Sequence, residues 1–96
     1  MEGPPLKVLW RRRAIADLAR IREALPADST PAIIERIEQA ISRLSSFPLS
    51  GRLGRVEQTR ELVVPRTPFI VAYVVQENVE ILAVIHGSQN WPETLG

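Results

Sequence analysis

Cysteine is absent from the 96 residues, and histidine occurs once, as His86. The chain therefore has no disulfide framework, no thiolate metal site and no cysteine nucleophile, and a histidine-rich metal site is excluded too. The longest strongly apolar run, Phe69 to Val75, is far shorter than the roughly 20 residues that cross a bilayer. The first five residues lack the basic region and apolar stretch of a signal peptide. We expect a cytoplasmic protein with no membrane contact, no metal and no cofactor.

Apolar residues make up 45% of the chain and charged residues 24%, as in an ordinary globular protein. These fractions exclude a disordered tail, a collagen-like fibre and a repeat array. A chain this short buries a single hydrophobic core, so one domain over residues 1–96 is predicted. The net charge of +1 is unevenly distributed, because residues 1–25 sum to +3 and residues 71–96 to −3. Eleven of the twelve basic residues are arginine. Arginine suits carboxylate or phosphate binding, but a GC-rich genome that favours arginine over lysine explains the excess equally well.

The hydrophobic pattern of the first half predicts one strand and two helices. Alternation from Leu6 to Trp10 is typical of a strand. A first helix, closed by Pro26, is indicated by apolar residues at helical spacing: Ala14, Leu18, Ile21 and Leu25. Its polar residues are expected largely on the outer face: Asp17, Arg20 and Glu23. Thr30 is predicted to cap a second helix, with Pro31 in the first turn and an end near Phe47-Pro48.

The second half of the chain predicts a loop and three strands. Gly51 and Gly54 break any periodicity between Leu49 and Thr59, which indicates the loop. The strands are predicted at Arg60 to Val64, Phe69 to Val75 and Val79 to Ile85. The order β-α-α-β-β-β predicts an α+β fold. In it a helical hairpin packs against one face of a mainly antiparallel, four-stranded sheet.

No common catalytic motif is present, neither a phosphate-binding glycine loop nor a G-x-S-x-G or H-E-x-x-H pattern. The candidates for chemistry are dispersed: Arg52, Arg55, Arg60, Arg66, Tyr73, His86 and Trp91. Arginines at one end of a sheet suit phosphate binding, and a histidine can transfer a proton near neutral pH. Each residue also has an ordinary interpretation, in which the arginines are solvated or paired with acidic neighbours and His86 closes a strand. Tyr73 is then a core aromatic whose hydroxyl reaches the surface, and Trp91 packs beside Pro92.

Four passages together resemble the RelE/ParE superfamily of toxins from bacterial type II toxin–antitoxin modules. They are Val8-Leu9-Trp10 with Ala16 to Ile21, Leu44 to Arg52, Thr59 to Tyr73, and Val79 to Gly87. Each passage alone is a weak signal. Together they span residues 8–92, nearly the whole chain, in the β-α-α-β-β-β order of the superfamily.

The resemblance implies one of two mechanisms. RelE-like toxins enter the ribosomal A site and cut mRNA, using basic residues and a terminal tyrosine to activate the ribose 2′-OH and stabilise the scissile phosphate. In that case Arg52, Arg55 and Arg60 would clamp the message, and His86 would be the general acid or base. ParE-like toxins are not known as nucleases and are described as poisons of DNA gyrase, which block replication and cause DNA breaks.

Three positions depart from the nuclease pattern. The arginine that RelE-like toxins carry on the central strand would fall at Ile70, which is apolar. The basic stretch after the last strand corresponds to residues 86–90, which hold no basic side chain unless His86 is protonated, and the terminal tyrosine would fall near Trp91. One electrostatic contact of this kind is commonly worth about 10²–10³ in rate. These departures favour the ParE-like branch, a toxin that contacts DNA gyrase without covalent chemistry.

The resemblance also implies a partner, an antitoxin whose C-terminal part wraps the toxin as helices and extended segments. Arginines beside apolar grooves suit an acidic antitoxin tail, and the antitoxin would make the contacts with operator DNA. The residues expected to bind the target or the antitoxin are Arg13, Arg20, Arg60, Arg66, Tyr73 and Trp91. A further alternative is a regulatory domain that binds an antitoxin without being toxic.

Overall fold

The computed structural model describes residues 3–92 as two helices and one five-stranded sheet. The elements are β1 (Val8–Trp10), α1 (Arg12–Ala24), α2 (Thr30–Arg43), β2 (Arg52–Leu53), β3 (Arg60–Val63), β4 (Phe69–Val75) and β5 (Val79–His86). The strand order is β1-β5-β4-β3-β2, and every neighbouring pair is antiparallel except the parallel pair β1 and β5. The α+β class is confirmed, but the predicted sheet is one strand too small because β2 lies inside the expected loop. Within residues 3–92, no helix is long and apolar enough to span a bilayer.

The ends of α2 differ from the prediction. Ser29 rather than Thr30 is the N-cap, and the Thr30 hydroxyl donates back to the Pro26 carbonyl at 2.8 Å. The helix ends at Arg43 because the next three N–H groups, those of residues 44–46, bond the carbonyls three residues back instead of four. By contrast α1 ends at Ala24 as expected, since Leu25 is extended before a proline.

Both helices pack on one face of the sheet. The stripe of Ile34, Ile37 and Ile41 on α2 recurs at three- and four-residue spacing and is buried. The main core on this face consists of buried apolar side chains: Ala14, Ile21, Ile34, Ile37, Ile41, Leu44, Val64, Phe69, Val71, Tyr73, Val79, Ile81 and Val84. This packing of the helix pair is the one that the sequence predicts.

A bulge in β5 changes which of its side chains face the helices. Tyr73 pairs with Ile81 and Ala72 with Ala83, so Leu82 is an extra residue on β5. A second, smaller core therefore forms on the other face of the sheet: Ala72, Leu82, Ala83 and Ile85. Val56 and Trp91 pack against it. Both faces of the central strands are therefore covered.

Asp17 joins α1 to the sheet. The sequence predicts it on the outer face of the helix, but it lies on the buried face. It is 4% exposed, and its Oδ2 accepts the backbone N–H of Val84 at 3.0 Å. The pairing of β1 with β5 stops at Ile81, so the carboxylate substitutes for a strand carbonyl beyond that point. Asp17 lies three positions after buried Ala14, which places both on one helical face. The prediction is wrong for Asp17 because its spacing from Ala14 places it on the buried face. The hydrogen bond from Val84 helps to offset the cost of burying its charge.

The turn between β3 and β4 holds Arg66 in a strained backbone conformation. The Thr67 N–H donates to the Val64 carbonyl at 3.2 Å, Pro65 takes the second position, and Arg66 in the third position has φ 61°. This is the pattern of a type II turn, which favours glycine in the third position. A left-handed conformation costs an L-residue about 1–2 kcal/mol. Because Arg66 is exposed, no core packing offsets this strain.

Replacing Arg66 by glycine is expected to raise the free energy of unfolding by about 0.5–1 kcal/mol, because the relieved strain exceeds the extra entropy of an unfolded glycine. Arg66→Ala removes the same charge but keeps the Cβ atom, so it should stay within about 0.5 kcal/mol of the wild type. Urea unfolding measures both variants. A glycine variant no more stable than the alanine variant would contradict the strain.

Candidate functional site

The buried carboxylate of Glu61, on β3, forms ion pairs with two arginines that precede it in the chain, Arg52 and Arg55. Arg52 donates from Nε at 3.3 Å and Nη2 at 3.0 Å to one carboxylate oxygen. Arg55 donates to the other oxygen from its backbone N–H at 2.8 Å and from Nε at 3.1 Å. Glu61 is 2% exposed, whereas the side chains of Arg52 and Arg55 are 55% and 46% exposed. The carboxylate thus lies beneath two guanidinium groups that face outward.

The hydrogen bonds decide the charge state of this carboxylate. Burial raises the pKa of Glu61, but the bonds from Arg55 and Arg52 outweigh it, so the pKa lies below its usual value. Glu61 is therefore ionised at neutral pH and neutralises one of the two arginines. Both arginines predicted to clamp a phosphate are thus hydrogen-bonded to this buried carboxylate.

The sheet face around Glu61 is otherwise apolar. Glu61 pairs in register with Ala72, and the next position on the same face of β4 is the buried Ile70. The guanidinium carbon of Arg55 lies 3.8 Å from the centroid of the Trp91 ring, a cation–π contact. Ile70 and Trp91, where RelE-like toxins would carry an arginine and a tyrosine, are thus packing residues of this face.

Arg60 and Tyr73 lie on the opposite, helix-facing side. Successive residues of a strand point to opposite faces, and Arg60 pairs in register with Tyr73 of the main core. Arg60 donates from Nη1 to the Gly51 carbonyl at 2.8 Å. The Tyr73 hydroxyl donates to the Pro48 carbonyl at 2.8 Å and accepts the Gly51 N–H at 2.9 Å. Both side chains therefore fix the backbone of residues 48–51.

Tyr73 has no exposed surface, which corrects the expectation that its hydroxyl reaches solvent. Burial raises the pKa of this hydroxyl, although the hydrogen bond from Gly51 and the charge of Arg60 oppose the rise. A Cβ atom at Gly51 would lie 2.6 Å from the hydroxyl oxygen, so only glycine fits there. The geometry makes Tyr73 a core residue and leaves it inaccessible to a partner.

His86 ends β5 on the helix-facing side. It pairs in register with Phe69, and the two ring centroids are 5.6 Å apart in an edge-on arrangement. Its Nδ1 accepts the Ser88 N–H at 3.1 Å and lies 2.8 Å from the Ser88 hydroxyl. The histidine is exposed and bonds only within its own turn among the described residues.

The four residues expected to serve a nuclease do not converge. Arg52 and Arg55 lie on the face of Glu61, and Arg60 lies on the helix-facing side. His86 pairs with the first residue of β4 and Arg60 with the fifth, a separation of about 13 Å along the strand. A phosphate held by the first pair would not reach the histidine.

A groove of about 450 Å³ separates α2 from the end of β3. Arg36, Arg43 and Arg66 line it, and within residues 3–92 none of the three forms an ion pair. The other lining residues are apolar or uncharged: Gln39, Ala40, Phe47, Ser50, Leu62, Val63 and Pro65. Arg66 is predicted from the sequence as a binding residue, whereas Arg36 and Arg43 are not. Their seven-residue spacing, about two helical turns, is the signal that could have found them.

Two further candidates, Arg13 and Arg20, are accessible on α1. Both form an ion pair with Asp17, yet their side chains are 43% and 66% exposed. No group of three or more histidine, cysteine, aspartate or glutamate residues in the described part of the chain is placed to hold a metal ion.

Comparison with known proteins points to one family. Residues 8–91 match the family model of the ParE toxin of the type II toxin–antitoxin system parDE. A putative toxin Y4kP of Sinorhizobium fredii is 38% identical over 92 residues, covering 93% of this chain and 96% of that protein. Toxin RelE2 of Caulobacter vibrioides is 31% identical over 87 residues, covering 86% of this chain and 97% of that protein.

Solved structures agree in fold. A chain of the chromosomal ParDE toxin–antitoxin system from P. aeruginosa superposes with a TM-score of 0.77 at 22% identity, over 88% of this chain and 98% of that chain. A chain of the toxin–antitoxin complex RelBE2 from Mycobacterium tuberculosis gives a TM-score of 0.60 at 28% identity, over 85% of this chain and 91% of that chain. This chain therefore shares its fold, two helices on a mainly antiparallel sheet, with both solved chains.

Glu61→Gln is expected to lower the free energy of unfolding at pH 7 by about 1–3 kcal/mol, a moderate loss because the two arginines are half exposed. A lowered pKa in the folded state makes the ionised carboxylate stabilising above the unfolded pKa of about 4.3. That stabilisation is lost as the pH falls through the folded pKa.

Urea unfolding at pH 7 and pH 3 measures this difference between the wild type and the variant. The gap between the two proteins should shrink at pH 3. Glu57→Gln, an exposed position in the same segment, is the control and should give no gap at either pH. A Glu61 gap that is equal at both pH values would mean that the ion pairs do not stabilise this corner.

Proposed function

This chain belongs to the ParE family of toxins of type II toxin–antitoxin systems, and we propose that it stops bacterial growth by binding DNA gyrase. It would act in the cytoplasm, and a cognate antitoxin would hold it inactive. The action rests on contact between protein surfaces, so it requires neither bond cleavage by the toxin nor a cofactor.

The observation that carries this proposal is that Arg52 and Arg55 are ion-paired with Glu61. Cleavage of RNA needs cations at the scissile phosphate and a proton-transfer group within reach, and the latter commonly supplies 10²–10⁴ in rate. Here Arg60 is bound to backbone on the other face and His86 lies apart from both arginines. This arrangement supports a toxin that acts by binding.

Exposure separates the expected contact residues that can reach a partner from those that have a structural role. Arg13 and Arg20, which remain accessible on α1, are proposed to contact gyrase. Arg60 and Tyr73 are used to fix the backbone, so we assign them no partner. Trp91 covers the second core under Arg55 and is assigned the same structural role.

Pulse labelling of DNA and protein synthesis immediately after induction of this chain alone tests the proposal. We expect DNA synthesis to stop first, with a DNA-damage response. His86→Ala should leave this arrest unchanged, because the side chain bonds only within its own turn among the described residues. In a nuclease that used His86 as acid or base, the same change would slow cleavage about 10²–10⁴-fold.

Two other outcomes would overturn the proposal. Translation that stops first while replication continues would indicate a ribosome-dependent mRNA endonuclease, especially if His86→Ala relieved it. Normal growth after induction, with the antitoxin still bound in vitro, would indicate a regulatory domain without toxicity.

A further inference from the structure

A small cavity of about 300 Å³ lies between the C-terminal half of α1 and the end of β5. Apolar side chains form its floor: Ile21, Ala24, Leu25, Phe69 and Val84. Four polar side chains complete the lining: Asp17, Arg20, His86 and Gln89. The volume is at the lower end of the range for sites that bind small molecules, and an apolar floor with a few polar groups is typical of such sites.

Three of the polar side chains carry hydrogen-bond donors that have no partner among residues 3–92. The Ser88 N–H donates to His86 Nδ1 at 3.1 Å, so the ring proton lies on Nε2. The His86 N–H donates to the side-chain oxygen of Gln89 at 3.2 Å, which leaves the NH₂ group of that amide to donate elsewhere. Arg20 bonds Asp17 through Nη2 and keeps further N–H donors.

The one carboxylate in the lining is already engaged. Oδ1 of Asp17 accepts a hydrogen bond from Arg20, and Oδ2 accepts the Val84 N–H at 3.0 Å. Nε of Arg13 lies 3.7 Å from Oδ2 of the same carboxylate. Two arginines beside one carboxylate leave one positive charge in excess. The cavity therefore combines an apolar floor with donors and a single unbalanced positive charge, which is the complement of a monoanion.

The donors are held in place before any ligand arrives. His86 packs edge-on against Phe69, and the Ser88 N–H fixes its ring nitrogen. Gln89 is bonded to the His86 backbone, and Arg20 is paired with the buried Asp17. Because these side chains have already lost rotamer freedom, a ligand would bind them at a reduced entropic cost.

We propose that this cavity binds a small organic acid, in which one carboxylate is attached to a compact apolar group. The carboxylate would accept hydrogen bonds from Arg20, His86 Nε2 and the Gln89 amide, while the apolar group would cover Ile21 and Phe69. Inorganic phosphate fits less well, because it gains nothing from an apolar floor. The inference goes beyond the proposed function and does not depend on it.

Titration of the isotope-labelled chain with phenylacetate at physiological salt, followed by NMR, tests the proposal. We expect saturable shifts of the Phe69 and Val84 backbone N–H signals and of the Gln89 side-chain amide, with a Kd of about 1 mM or lower. Phenylacetamide keeps the shape of this acid without its charge and should bind at least about tenfold more weakly. Inorganic phosphate, which has the charge without the apolar group, should also bind at least about tenfold more weakly.

Variants assign the binding to the named side chains. His86→Ala removes one donor from an exposed side chain and should weaken the binding of phenylacetate about tenfold. Arg20→Lys keeps the charge beside Asp17 but loses the planar fork of donors, so a loss of about three- to tenfold is expected. Arg22→Gln removes a charge from α1 outside the cavity and should bind like the wild type. The thermal unfolding midpoint of each variant confirms that it is folded.

A short peptide that ends in phenylalanine separates the two sources of such a group. If the group belongs to a free acid, phenylacetate binds and the peptide does not. If it is the C-terminus of a polypeptide, the peptide binds at least as tightly as phenylacetate, and amidation of its terminal carboxylate abolishes the binding.

Three results would overturn the proposal. They are the absence of saturable shifts up to about 10 mM phenylacetate, equal binding of phenylacetamide or phosphate, and unchanged affinity in both His86→Ala and Arg20→Lys. Equal binding of the amide would show an apolar cavity that does not recognise charge. Failure of the proposed function is distinguishable, because the titration involves neither gyrase nor growth.

Discussion

The ion pairs of Glu61 fix the conformation of the corner of the sheet formed by β2, β3 and the segment between them. The carboxylate lies opposite Arg52 in the β2–β3 register and also bonds the backbone and side chain of Arg55. The segment between β2 and β3 is thereby folded back over the second face, where Arg55 meets Trp91. A buried acid without these partners would be strongly destabilising, so the arginines are bound to a structural role first.

The sheet separates two sets of contacts with different purposes. On the helix-facing side, Arg60 and Tyr73 fix residues 48–51, the segment that brings the chain from α2 to β2. On the other side, the second core and Trp91 close the surface. Of the residues expected to bind a partner, Arg13 and Arg20 remain accessible on the outside of α1, and Arg66 remains accessible in the groove between α2 and β3. This arrangement is the basis of the proposed recognition of partners through these two surfaces.

Much of the fold could be predicted because helical spacing and long apolar strands are local signals. The helix stripe of Ile34, Ile37 and Ile41 and the strand from Phe69 to Val75 lie where the pattern puts them. Strand β2 is not predicted because two residues between glycines carry no periodicity, and only their pairing with Arg60 and Glu61 across the ladder defines them. The bulge at Leu82 was equally invisible, since a run of apolar residues gives no alternation from which to read the faces.

The candidate site was harder to predict because it too depends on tertiary contacts, which leave no periodic pattern in the sequence. Residue type indicates that Arg52 and Arg55 can hold an anion, but only tertiary structure shows that the anion is Glu61. The adjacency of Arg60 and Glu61 in sequence conceals their placement on opposite faces, which period-two geometry explains once the strand is known. Arg36 and Arg43 carry a helical spacing signal, but their meeting with Arg66 depends on the β3–β4 turn.

Supercoiling of relaxed plasmid by purified DNA gyrase, with increasing amounts of this purified chain, tests the central claim most directly. We expect supercoiling to decline as the toxin is added and to recover when the cognate antitoxin follows, while mRNA on purified ribosomes stays intact. Full supercoiling at toxin levels that cut ribosome-bound mRNA would contradict it.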